Sequence, residues 1–259
     1  MKYISSTIIL SAFVFVVFTS LGAGQNTVCE KTDYQCKVRS YTTQIRDRPT
    51  ANELYYNRAL AYHALGKDIE AVADYTVYIN SKPTNVEYFA DGYSGRGDAN
   101  KALGKHTDAI ADYTASLNLF TSTSTLNNRG NTYFSMSQYA NALADYDRAI
   151  RLDPKDAEPY YNRAKVYSAQ KLYLKAIADL NIYVDLNKTH IPFLSDGYQN
   201  RSIAYMNLGN SAAALKDISS AIDLDPKSSR YKTRAIFYRK LGKVALAAAD
   251  DKTAADLEN

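Results

Sequence analysis

Six arginines, Arg58, Arg96, Arg129, Arg163, Arg201 and Arg234, are each followed sixteen residues later by an aspartate: Asp74, Asp112, Asp145, Asp179, Asp217 and Asp250. A planar guanidinium can meet a carboxylate through two parallel hydrogen bonds. An unmatched row of arginines would read as a track for anions, but six matched aspartates point to ion pairs inside a scaffold. A second series directly precedes these arginines: Asn57, Asn128, Asn162 and Asn200, interrupted by Gly95 and Thr233. A primary amide both donates and accepts, so a row of them can hold the N–H and C=O groups of another chain whatever its side chains.

Other chemistry is thinly supplied. The histidines (His63, His106, His190) are scattered and the two cysteines lie near the N-terminus, so no metal site, cofactor site or nucleophile–base arrangement is expected, and no enzyme activity. A net charge of +4 is too small to suggest a nucleic-acid surface. The aromatic content is 23 Tyr and 8 Phe with no Trp, so it is mostly amphipathic. Cys29 and Cys36 would lie about 10 Å apart in one helix, beyond bridging distance, so a disulfide between them requires Cys29 to precede the helix.

The elements that position these residues repeat. Tyr55-Tyr56-Asn57-Arg58-Ala59 returns as Tyr160-Tyr161-Asn162-Arg163-Ala164, and Ala109-Ile110-Ala111-Asp112-Tyr113 as Ala142-Leu143-Ala144-Asp145-Tyr146. Six units start at 52, 90, 123, 157, 195 and 228. Each has an apolar stripe at helical spacing, a break such as Leu65-Gly66 or Leu103-Gly104, and a second helical stripe. Counting from each start, position 8 is always small (Ala59, Gly97, Gly130, Ala164, Ser202, Ala235) and position 20 is always alanine. Both positions let two antiparallel helices approach closely. The arginines occupy position 7 and the aspartates position 23, equidistant from a turn near position 15.

These residues resemble the tetratricopeptide repeat (TPR) family, whose unit is a helix hairpin of about 34 residues. The resemblance covers 52–259, with a large aromatic at position 4 in five units (Tyr55, Tyr93, Tyr160, Tyr198, Tyr231) and Pro83, Pro154 and Pro226 at position 32. It implies an all-α solenoid, a superhelical stack of hairpins with units 52–89, 90–122, 123–156, 157–194, 195–227 and 228–259. It also implies that the face carrying positions 2, 6, 9 and 13 lines a concave groove. There Asn57, Asn128, Asn162 and Asn200, with Tyr56, Tyr161 and Lys165, would grip an extended peptide of a partner protein. The carboxylate-clamping co-chaperone pattern, Lys and Asn at positions 5 and 9 of the first unit, is replaced by Tyr56 and Leu60. Basic residues near the C-terminus (Arg230, Lys232, Arg239, Lys240, Lys243) could receive an acidic segment. A self-assembling subunit that joins through its ends is the alternative reading.

A longer period overlies the short one: Asp91-Gly92-Tyr93 returns as Asp196-Gly197-Tyr198, an offset of 105 residues. The two apolar insertions, 86–89 and 191–194, fall at equivalent junctions, either as loops or as a local widening of the groove. Residues 1–24 read as a secretory signal, with Lys2 ahead of an apolar run, which predicts export to a secreted or periplasmic location without a membrane span. Residues 25–51 are expected to form a capping segment with a lone helix, stapled by Cys29–Cys36. The final helix, with Asp250, Asp251, Lys252 and Asp256, is expected to turn a polar face outward.

Overall fold

The computed structural model describes residues 29–258. Within them lie thirteen α-helices and no strand. A single helix, α1 (Tyr34–Asp47), is followed by six hairpins: α2 (Asn52–Ala64) with α3 (Asp68–Asn80), α4 (Val86–Ala102) with α5 (His106–Leu119), and α6 (Thr123–Ser135) with α7 (Tyr139–Leu152). Next come α8 (Glu158–Ala169) with α9 (Tyr173–Leu186), α10 (Ile191–Leu208) with α11 (Ser211–Leu224), and α12 (Ser228–Lys240) with α13 (Val244–Asp256). The sequence motif 1–24 lies outside the described residues.

Each hairpin turns at position 15, where all six residues adopt a left-handed backbone: Gly66, Gly104, Gly209 and Gly242, but also Ser137 (φ 58°) and Lys171 (φ 61°). The next residue closes the turn by donating to the carbonyl of position 11, as in Lys67 N to Tyr62 O and Leu172 N to Tyr167 O, which satisfies a helix-end carbonyl. A side chain at Lys171 costs about 1 kcal/mol in this conformation. Lys171→Gly should therefore raise the unfolding free energy by about that amount, read as a higher urea midpoint at unchanged slope.

Close approach at the small positions builds the core. All six position-20 alanines are buried at 0–2% exposure, together with Ala59, Ala164 and Ala235 at position 8. Neighbouring hairpins then cover what one hairpin leaves open: each second helix packs on the first helix of the next unit. Successive first helices also touch one another (α2 with α4, α4 with α6, α6 with α8), while second helices make no comparable contact. The stack therefore curves with its first helices on the inner, concave side.

Of the two readings of the insertions, the loop is overturned: both are helical. Val86 starts α4 and Ile191 starts α10, so these helices run 17 and 18 residues against 13 in α2 and α12. Asn85 caps α4 by accepting from the Tyr88 backbone N–H at 3.0 Å. The four residues are thus an extra first turn, and the boundaries at 89/90 and 194/195 fall inside helices.

At the N-terminus, Cys29 precedes the helix and is bonded to Cys36, with Cα atoms 5.6 Å apart. Asp33 caps α1 by accepting from the Cys36 backbone N–H at 2.8 Å. At the other end Asp250 does not face outward: it is 5% exposed and bonded to Arg234. The outward residues of α13 include Val244, 69% exposed, and Leu246, 48% exposed.

Candidate functional site

Every position-7 arginine meets the position-23 aspartate of its own hairpin. The shortest contacts run from 2.6 to 2.8 Å across Arg58–Asp74, Arg96–Asp112, Arg129–Asp145, Arg163–Asp179, Arg201–Asp217 and Arg234–Asp250. The aspartates are buried and the arginines largely so. Those bonds to carboxylate hold the guanidiniums of Arg58, Arg129, Arg163, Arg201 and Arg234 above the usual arginine range.

A third partner escapes the sequence reading. The remaining Nη1 of each arginine donates to position 25 of the preceding helix: Thr42, Thr76, Thr114, Asp147, Asn181 and Ser219 in turn. Thr42 belongs to α1, which thereby acts as the second helix of a unit preceding the first. The polar ladder thus ties hairpin to hairpin as well as helix to helix. Its signal is a chemical class rather than a residue type, since hydroxyl, amide and carboxylate all accept from a guanidinium.

Tyrosine surrounds this ladder. Position-4 and position-11 rings lie 5.2 to 5.9 Å from the guanidinium carbons, one helical turn to either side, and Arg58, Arg163 and Arg234 each have two. Where Asn100 replaces the position-11 tyrosine, its amide donates to Asp112 at 2.9 Å instead. Much of the Tyr-rich composition serves the ion pairs.

The asparagine row lies between successive first helices. Asn128 donates to Asp98 of α4 at 3.0 Å, Asn162 to Asn127 of α6 at 3.0 Å, and Asn200 to the Tyr161 hydroxyl of α8 at 3.0 Å. Asn162 is only 6% exposed, so its expected hold on a peptide backbone is corrected: it stitches α8 to α6. Asn128 and Asn200 are half-buried and keep the amide oxygen beyond these bonds; Asn57 is also half-buried. Gly95 breaks the row for a steric reason, since a Cβ there would lie 2.5 Å from Cζ of Tyr75. Asp98 accepts from both Tyr113 and Asn128, and burial among these groups raises its carboxyl above the usual carboxylate range.

What faces the groove is a mixed strip. Tyr56 and Tyr161 stand half-buried against Tyr78 and Tyr183, with centroids 5.0 and 4.8 Å apart. Lys165 is exposed, its ammonium 5.7 Å from the Tyr161 ring centroid. Burial and the charge of Asp91 push the Tyr78 phenol up to about 12. Position 9 is apolar and exposed at Leu60, Ile203 and Ile236, and the last two line a shallow cleft with Asn207 and Lys240.

The basic cluster near the C-terminus is smaller than its sequence count. Arg230 is 1% exposed and bonded to Asp225 and Asp196; Lys232 pairs with Glu258, and Arg239 with Asp251. Among the described residues no group of His, Cys, Asp and Glu could hold a metal ion, and no helix is long and apolar enough to cross a membrane.

An all-α solenoid of helix hairpins locked by Arg–Asp pairs defines the class of protein. Family models of the TPR repeat match residues 130–171, and of the tetratricopeptide repeat residues 53–85 and 195–228. The chain is a tetratricopeptide repeat protein with multiple repeats. It is 34% identical over 101 residues to human serine/threonine-protein phosphatase 5, covering 39% of this chain and 19% of the phosphatase. That match covers only the tetratricopeptide region of the enzyme. Among solved structures, a tetratricopeptide repeat protein from Parabacteroides merdae superposes with a TM-score of 0.68 at 21% identity, over 88% of both chains. YrrB, described as a TPR protein with an unusual peptide-binding site, gives a TM-score of 0.57 at 18% identity, over 74% of this chain and 96% of that one.

Proposed function

We propose that the chain is a non-catalytic scaffold of an exported compartment that binds an extended segment of a partner protein, rather than nucleic acid, along its concave face. The observation that carries this reading is the strip of Tyr56, Leu60, Tyr161, Lys165, Ile203 and Ile236 on inward-facing first helices. Amphipathic and apolar side chains on successive rigid helices give an extended chain repeated places to seat its own side chains. Tetratricopeptide proteins are typically interaction scaffolds, and YrrB has a peptide-binding site, both of which support the reading. The Cys29–Cys36 bridge is consistent with an oxidising compartment.

Twelve-residue peptides selected from a random library on the immobilised protein provide the test. Their affinity, followed by fluorescence anisotropy, should fall about tenfold or more in Tyr161→Ala/Lys165→Ala. It should be unchanged in Ile69→Ser/Leu174→Ser, which alters two side chains about 70% exposed on second helices. The opposite pattern would overturn the groove reading. Self-assembly through the exposed Val244 and Leu246 is the second reading, and a concentration-dependent mass abolished by Val244→Ser/Leu246→Ser would favour it.

A further inference from the structure

The second half of the stack shows what the first half lacks. Around Tyr161, the Tyr183 ring lies 4.8 Å away, and the Lys165 ammonium stands 5.7 Å from the Tyr161 centroid. Asp196, close enough to act on both phenols, is bonded to the Arg230 guanidinium at 2.6 Å. Two internal cations therefore sit on this pair of tyrosines and its carboxylate.

The equivalent residues of the first half are Tyr56, Tyr78 and Asp91, each 105 positions earlier. Tyr56 and Tyr78 pack in the same way, and burial, with Asp91 adding to it, raises both phenols. The cations are missing: Leu60 stands where the second half has Lys165, and Thr125 where it has Arg230. Among the described residues no ammonium or guanidinium lies over the Tyr56 ring, and none pairs with Asp91, which is exposed. Partial desolvation and the nearby Glu87 hold the Asp91 carboxyl above its usual range.

We propose that Tyr56, Tyr78 and Asp91 form a subsite for a cationic side chain, a lysine or arginine carried by the partner segment. This inference rests on the groove reading above. The incoming cation takes up the two interactions that Lys165 and Arg230 supply internally: attraction to a tyrosine face and a charged hydrogen bond to a carboxylate. Leu60, one turn along α2 from Tyr56 and 37% exposed, offers apolar surface for the methylene stem of such a residue.

Peptides selected on the protein should carry Lys or Arg in one fixed register. Replacing that residue by norleucine or citrulline should weaken binding about tenfold, and Asp91→Asn should weaken the basic peptide by a similar factor. The neutral peptide should bind parent and Asp91→Asn alike, with the melting temperature unchanged. Leu60→Lys, which restores the internal cation of the second half, should remove the preference for the basic peptide. Peptides that compete for the groove, show no basic register and bind Asp91→Asn as tightly as the parent would overturn the subsite and leave the groove reading standing. Failure to select any peptide sensitive to Tyr161→Ala/Lys165→Ala would overturn both.

Discussion

Arg163→Ala is expected to lower the unfolding free energy by about 3 kcal/mol. Removing this guanidinium leaves Asp179, 4% exposed, without the two bonds it accepts from Nε and Nη2 at 2.8 and 2.6 Å. It also frees Asp147 from a 2.6 Å contact with Nη1, cutting the link between the third and fourth hairpins. Breaking a fully buried pair costs roughly 3 to 5 kcal/mol, and the arginine side chain is 19% exposed, which places the loss at the lower end. Arg163→Lys should retain the charge but not the planar fork, with a cost of about half as much. Urea unfolding of the three proteins decides this, and a loss below about 1 kcal/mol for Arg163→Ala would show that the pair behaves as an exposed one.

Gly95→Asn restores the asparagine found at position 6 in four other units, yet it is expected to destabilise the protein by about 3 kcal/mol. The Cβ alone would meet the end of the Tyr75 ring at 2.5 to 2.8 Å. Tyr75 is 1% exposed and cannot swing into solvent without opening the interface between the first two units. Tyr113 and Tyr146, also at position 24, coexist with Asn128 and Asn162 at position 6 because their rings lie against Gly97 and Gly130 of their own hairpins, where the Tyr75 hairpin has Ala59. Unit 4 has the smaller Leu180 at position 24, with Asn200 at position 6 of the next unit. Tyr75→Leu in the Gly95→Asn background should therefore recover a large part of the loss, a coupling visible in a double-mutant cycle of melting temperatures. Additive losses would mean that the ring and the glycine do not share one space.

These two positions also mark what was readable in the amino-acid sequence. The Arg–Asp pairs, the small residues at positions 8 and 20 and the turn at position 15 each satisfy a constraint inside one hairpin. Six repetitions turn such a constraint into a visible pattern. Contacts between hairpins are harder to read. The position-25 acceptors change type from unit to unit, Gly95 answers to a ring in the preceding unit, and Arg230 shows as a surface charge until its burial is seen. The asparagines lie on first helices, but a groove-side amide can turn toward the neighbouring helix as readily as toward a ligand, and Asn162 does so. The extra turn in α4 and α10 was hidden because a short apolar run has the same composition in a loop and in a helix.

Site-directed photocrosslinking tests the groove most directly. A benzophenone amino acid placed at residue 161, on the inner face of α8, and at residue 174, on the outer side of α9, reports which surface a selected peptide touches. Crosslinks to the peptide from 161 and none from 174 are expected. Crosslinks from 174 with none from 161 would contradict the concave face as the binding site.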